Sequence, residues 1–152
     1  MSDPSEAIRL AGGFIFEVDG QQIGMFKEVN GLRADVTVET LEEGGQNNFV
    51  HKLPGRLSWP NLVMRRGVTD TDNLFQWFLK SSGDGFEGAG QKLERTTAAV
   101  TLVNHSGQRV QAWELVEAFP VRWEGPRLAA DLDEMAMEEL EIAHHGFRST
   151  KP

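Results

Sequence analysis

The alternation of apolar and polar positions divides the chain into short β segments arranged around one helix. Gly13 to Val18 alternates about Phe14, Phe16 and Val18, and Asp19-Gly20 is a two-residue turn signal leading into Ile23 and Phe26. A hairpin is expected there. Asn30-Gly31 offers another turn, after which Val36 to Leu41 alternates as a strand with one wet face. Glu42 to Asn48 has no periodicity and carries charge, glycine and amides, which predicts a long exposed loop or arm. The loop reading continues to Arg56. Leu57 to Met64 resumes as a strand, with Pro60 marking an edge or bulge because it has no N–H for the ladder.

The helix is the clearest local prediction. Thr69 and Asp72 have the spacing of a capping box, and Asp70 and Asp72 place negative charge at the positive end of the helix dipole. Leu74, Phe75, Phe78 and Leu79 share one face, with Trp77 on its margin. Ser81, Ser82 and Gly83 end the helix, and the glycines from Gly83 to Gly90 make a loop. Beyond it, Ala98, Val100 and Leu102 alternate with their neighbours, Asn104-His105-Ser106-Gly107 turns the chain, and Val110 to Val121 returns as a partner strand. The last element, Asp131 to Ala143, reads as a strand. Met135, Met137, Leu140 and Ile142 share a face if one residue near Glu138 or Glu139 is extra, as in a β-bulge, leaving Glu134, Ala136, Glu138 and Glu141 opposite. A helix is the rival reading, because methionine, glutamate, leucine and alanine favour it.

Roughly eight strands with frequent turns and one helix predict a mainly β fold, a β-sandwich or partly open barrel. One domain over residues 1–152 is expected, large enough to bury a core. An open sheet leaves edges, and closure into a ring of identical copies is one way to remove them.

Composition narrows the function. The net charge of −8 disfavours nucleic-acid binding, which needs a basic surface. Charge is nevertheless uneven: Asp131 to Glu141 holds six acids and no base, whereas Lys52 to Arg95 holds seven bases against five acids. Such polarity suits head-to-tail stacking as well as two solvated faces. The chain has no cysteine, so disulfides and thiolate chemistry are excluded. No apolar run approaches the roughly 20 residues that span a bilayer, so no membrane anchor is expected. Met1 to Glu6 is polar, so no signal peptide is expected either, and synthesis is expected in the cytoplasm.

Candidate chemistry is sparse. His144-His145 beside Glu141 cannot chelate one ion from a regular strand, since adjacent residues point to opposite faces. The glycines after the helix reverse the geometry of a phosphate loop, which must open a helix. No serine elbow is present. The six acids between Asp131 and Glu141 read as a wet face, and Arg65-Arg66 as a phosphate site or, better, a solvated strand end. Trp77, Trp113 and Trp123 lie in apolar patterns and read as core. No catalytic residue, metal site or cofactor is expected.

Several segments in order carry a resemblance. Glu17-Val18-Asp19-Gly20, Phe26-Lys27-Glu28-Val29-Asn30-Gly31-Leu32, Glu43-Gly44-Gly45, Lys52-Leu53-Pro54-Gly55-Arg56 and Pro60-Asn61-Leu62 are followed by Arg65-Arg66-Gly67-Val68-Thr69-Asp70 and Leu74-Phe75-Gln76-Trp77-Phe78. Trp113-Glu114-Leu115, Ala118 to Pro126 and Glu138 to His144 complete the series. Together they resemble the tail tube protein family of contractile phage tails and phage-tail-like extracellular contractile injection systems. The departures are the second base at Arg66 and the long glycine-rich loop from Ser82 to Gly90.

The resemblance implies a structural inner-tube protein and no enzyme. Its protomers would form hexameric rings that stack into a hollow tube, driven through a target membrane by sheath contraction. Implied partners are further copies of the chain, a sheath protein, baseplate and tube-terminating proteins, and cargo or a tape-measure protein in the lumen. The setting would be a phage tail or tail-like particle, retained in the cytoplasm or released by lysis. Two alternatives stand beside it, a type VI secretion-like ring that carries effectors and a monomeric β-barrel binding protein. On the tube reading, Glu43, Gly44, Gly45, Asn47, Asn48, Phe49, His51 and Lys52 form an inter-subunit arm with Phe49 as its apolar anchor. Thr37, Glu39, Glu134, Glu138 and Glu141 are the candidates for the lumen wall, although a sheath-facing position for these acids fits equally.

Overall fold

The computed structural model describes residues 11–42, 50–68, 73–81, 96–130 and 136–150. Among them run β1 (Ala11–Val18), β2 (Gln21–Phe26), β3 (Glu28–Asn30), β4 (Asp35–Leu41), β5 (His51–Ser58), β6 (Leu62–Gly67), α1 (Asn73–Lys80), β7 (Thr96–Asn104), β8 (Arg109–Glu124), β9 (Met137–Ala143) and β10 (Phe147–Thr150). The main sheet has the order β2-β1-β7-β8-β9-β6-β3, with β10 on β8, and β4-β5 stands apart as a two-stranded sheet. Among the described residues the fold is mainly β with one helix, and the sheets curl without closing.

The expected first hairpin is present, with Val18 opposite Gln21 across the Asp19-Gly20 turn, where both turn residues adopt positive φ. The curl comes from β8. Its first half pairs with β7 and β10 and its second half with β9. Between the halves Glu117 has φ 50°, a left-handed residue that bends the strand and turns it from one sheet into the other. Two further hydrogen bonds fix this bend, from Val116 N–H to the Gly146 carbonyl at 2.9 Å and from His145 N–H to the Val116 carbonyl at 2.8 Å.

Inside the curl lie Phe16, Val18, Phe26, Leu62, Met64, Val100, Leu115, Leu140 and Ile142, all buried. The helix covers them. Trp77 meets Phe16 edge-on at 5.5 Å, Phe16 meets Phe26 at 6.2 Å, and Phe75 meets Trp123 at 4.8 Å. The helix face is rotated from the expected one: Leu74 and Trp77 are its buried residues, whereas Leu79 is 41% exposed. A helix centred on 74, 77, 78 and 81 inserts the indole, which removes more apolar surface from water than Leu79 offers. The capping box at Thr69 and Asp72 and the glycine loop lie outside the described residues.

Two strand predictions are corrected. The segment expected as one strand from Leu57 to Met64 is two, because the chain breaks at Trp59-Pro60-Asn61 and re-enters the sheet as β6. Here Pro60 interrupts the ladder. The expected loop from Asn48 to Arg56 is instead largely strand, since His51–Ser58 pairs antiparallel with Asp35–Leu41. Gly55 is required there, because a Cβ would collide with Thr37, whose Oγ1 accepts the Arg56 N–H at 2.8 Å.

Candidate assembly interface

Among the described residues no element covers the β4-β5 hairpin. Every residue of β4 is exposed and only Gly55 of β5 is even half-buried. A protein that functions alone rarely leaves such residues bare: Val36 is 48% exposed, Val38 60%, Leu53 47% and Leu57 49%. Register sorts them. Val36 opposes Leu57 and Val38 opposes Pro54, so these four share one face of the hairpin as an apolar stripe. Of the arm residues, His51 and Lys52 lie at the distal end of β5, opposite Leu41 and Thr40. Glu43, Gly44, Gly45, Asn47, Asn48 and Phe49 lie outside the described residues.

The expected lumen residues do not share one surface. Thr37 and Glu39 are on the hairpin, whereas Glu138 and Glu141 are on β9 and Glu134 lies outside the described residues. Moreover, β9 runs without a bulge against β6, from Leu62 opposite Ile142 to Gly67 opposite Met137. The irregularity is in β8, between Pro120 and Arg122. Strict alternation along β9 therefore puts Glu138 with Leu140 and Ile142 on the core face, and Glu139 with Glu141 on the other. This overturns the grouping of Glu138 with Glu141.

Glu138 is 9% and Arg66 4% exposed, and the two form an ion pair inside the curl. The Arg66 guanidinium lies 5.4 Å from the centre of the Phe26 ring, and Trp123 Nε1–H donates to the other Glu138 oxygen at 3.3 Å. Gly24 leaves the room, since a Cβ at that position would strike Arg66 Nη1. The Arg65-Arg66 pair is thus no phosphate site. A buried pair was missed in the sequence, although two adjacent arginines on one strand and two adjacent glutamates on another were its signal.

The opposite face of β3, β6, β9 and β8 carries a charge ladder. Register places Glu28 opposite Arg65, Arg65 opposite Glu139, and Glu139 opposite Glu124, with Arg122 opposite Glu141 in the next row. Arg65 Nε reaches Glu139 Oε2 at 2.6 Å and Arg122 Nη2 reaches Glu139 Oε1 at 2.5 Å. The hydrogen bond each donates to Glu139 holds both guanidinium groups above their usual range. Burial pushes the Glu139 carboxyl up, but the bonds and charges of Arg65 and Arg122 outweigh this and hold it below the usual carboxylate range. A carboxylate lowered on folding adds stability above its unfolded pKa of about 4.3, and that stability disappears as pH falls through the folded value. Glu139→Gln is therefore expected to flatten the loss of Tm between pH 5 and pH 3, measured by calorimetry, relative to the parent chain.

His144 and His145 point apart, as expected. His144 is buried, whereas His145 Nδ1 meets Glu117 at 2.5 Å near the surface. Among the described residues no three His, Asp or Glu side chains form a group suited to a metal ion, and no helix is long and apolar enough to cross a membrane.

The whole described fold has counterparts. A chain of the anti-feeding prophage baseplate, a six-fold symmetrised assembly, superposes with a TM-score of 0.74 at 24% identity over 99% of this chain and 97% of that one. A chain of the PVC extracellular contractile injection system, in its sheath–tube complex in the extended state, gives 0.75 at 22% identity over 99% and 98%. Hcp1 from Flavobacterium johnsoniae gives 0.51 at 13% identity over 90% and 94%. No curated protein matches the sequence. The profile of the T4-like virus tail tube protein gp19 family matches residues 11–148. This span contains the hairpin, the charge ladder and the buried ion pair, and the chain belongs to that family of tail tube proteins.

Proposed function

We propose that this chain is the repeating subunit of the inner tube of a contractile injection system or phage tail, built of stacked hexameric rings. The family match over residues 11–148 carries the reading, and the bare hairpin supports it. A strip containing Val36, Val38, Pro54 and Leu57 gains by leaving water only if another copy covers it, at about 25 cal/mol per Å² of apolar area. The hairpin, continued by Glu43 to Phe49, is then the inter-subunit arm.

The partners follow from the assembly. Similar chains occur in a sheath–tube complex, in a baseplate and in a tube-terminating cap, so a sheath, a baseplate and a terminator are proposed as the tube's neighbours. The ladder of Arg65, Glu139, Arg122 and Glu141, flanked by Glu28 and Glu124, is assigned to the water-filled lumen, because its four central charges pair with one another and need no macromolecular partner. The passing cargo, or a tape-measure protein, would then meet a mildly acidic wall that repels acidic chains.

Light scattering and negative-stain microscopy test the reading. Purified chain is expected to give six-fold rings and bare tubes whose length grows with concentration. A compact species of about 16.9 kDa at every concentration would refute it.

A further inference from the structure

The strands that carry the charge ladder have two ends, and each end exposes apolar side chains. At one end β8 finishes at Glu124 opposite Glu139, β9 begins at Met137, and β6 finishes at Gly67 opposite Met137. Beyond Glu124 the chain passes through Gly125, where a Cβ would come within 2.9 Å of the Trp123 ring, so the link leaves the sheet against that indole. Leu128 follows in the same link and is 86% exposed, more than any other large apolar side chain among the described residues. Val68, 50% exposed, stands at the same end, since its N–H bonds the Ala136 carbonyl just before β9.

The other end is where the hairpin departs. Leu62 of β6 opposes Ile142 there, and Trp59-Pro60-Asn61 connects β6 to β5. Nearby, β3 ends at Asn30 opposite Val63, and Gly31 to Ala34 leads into β4. Gly31, at φ +95°, lies so close to the Asn61 carbonyl that a Cβ would collide with it, which brings the two roots of the hairpin together. The first pair of the hairpin is Asp35 opposite Ser58, and the next is Val36 opposite Leu57. Its apolar stripe therefore starts at the root, beside this end of the sheet. The length of β6 separates the two ends by roughly 17 Å at the usual rise of a strand. One chain thus bears two bare apolar surfaces at opposite ends of the same strands, and neither covers the other.

We propose that Leu128 and Val68 are the acceptor for the hairpin of the next copy along the tube axis: the stripe at Val36 and Leu57 in one ring sits on the Leu128 end of a protomer in the adjacent ring. This inference rests on the tube reading and names the surfaces that stack. Strands of a barrel tilt by about 35–45° and so still run broadly along its axis. With the ladder facing the lumen, the two ends of β6 and β9 therefore face the rings above and below. A contact between unlike surfaces repeats head to tail without limit, which is what a growing stack requires. Both surfaces are apolar, and joining them removes from water the side chains that the single chain leaves bare. One leucine and one valine make a weak contact, but a ring engages one such contact per protomer at the same moment, and linked contacts multiply in strength.

The chain has no cysteine, so a reactive pair can be introduced cleanly. In tubes of the double variant Leu57→Cys with Leu128→Cys, treated with a short bis-maleimide, each link is expected to pass to another ring and to give a denaturing-gel ladder that runs past the size of one ring. Either single variant is expected to give no ladder. Leu128→Asp changes an exposed site, so it is expected to keep the parent's circular dichroism and to form separate rings. Its threshold concentration for tubes is expected to rise about tenfold or more, the factor by which burying a leucine shifts an equilibrium. Tubes whose gel shows no ladder, a ladder that ends at one ring, or Leu128→Asp tubes of parental length at the parental threshold would each overturn the contact. Where Leu128→Asp loses its native circular dichroism the cysteine pair decides, and where the cysteine pair makes no tubes Leu128→Asp decides. Microscopy of the parent separates the two readings: a parent without rings removes the tube reading and this contact together, whereas tubes without the ladder remove this contact alone.

Discussion

Glu138→Ala is expected to destabilise the protomer by about 3–5 kcal/mol, the usual cost of leaving one partner of a buried ion pair uncompensated. For a chain of this size that corresponds to a fall in Tm on the order of 10 °C, read by thermal unfolding. The reason is local. Arg66 is buried against Phe26, and its Nη2 has no hydrogen-bond partner among the described residues. Removing the carboxylate also strands Trp123 Nε1–H, which donates to it. The double variant Arg66→Met with Glu138→Leu separates charge from packing. It fills nearly the same space without charge, and stability within about 1 kcal/mol of the parent, or above it, is expected. If Glu138→Ala costs no more than an ordinary surface change, the buried pair is not what holds β6 against β9.

Val38→Asp is expected to have the opposite profile, with little effect on the folded chain and a large one on assembly. Val38 is 60% exposed on a hairpin that no other described element covers, so its substitution is expected to move protomer stability by no more than about 0.5 kcal/mol. In a tube the same site would place a carboxylate against an apolar surface, and polymer formation at the parent's threshold concentration should be lost. Leu57→Asp is expected to do the same. Sedimentation of polymer, together with circular dichroism of the soluble fraction, reads both quantities at once. Tubes of normal length from Val38→Asp would remove the hairpin from the interface.

Both results turn on alternation along a strand, which the sequence displays only when the register is known. In β1, where Phe14, Phe16 and Val18 alternate next to an Asp-Gly turn, pattern and structure agree because the turn fixes the register within a few residues. In β9 the pattern misled. Two methionines, two aliphatic residues and several glutamates predict a bulge near Glu138 or Glu139 that keeps the glutamates outside. The strand is regular instead, and one glutamate turns inward because Arg66 awaits it 72 residues away in sequence. A buried charge is tolerated where an opposite charge meets it, and such meetings are long-range facts.

The hairpin shows the same division. Lys52 to Arg56 contains proline and glycine and reads locally as loop, yet β4 gives it a ladder partner and makes it strand. Likewise, the helix was plain from its three- and four-residue spacing, but the choice of Trp77 over Leu79 for the interior was made by the space above Phe16.

By itself the sequence determined the β-rich class, the helix at Asn73–Lys80, the turns at Asp19-Gly20 and Asn104 to Gly107, and the family, because these depend on neighbouring residues or on the order of short segments. Tertiary structure alone decided which glutamate is buried, where β8 bends, and that Lys52 to Arg56 is a strand paired with β4. Each of these rests on a hydrogen bond or ion pair between residues that only the folded chain brings together, and no local pattern encodes the partner.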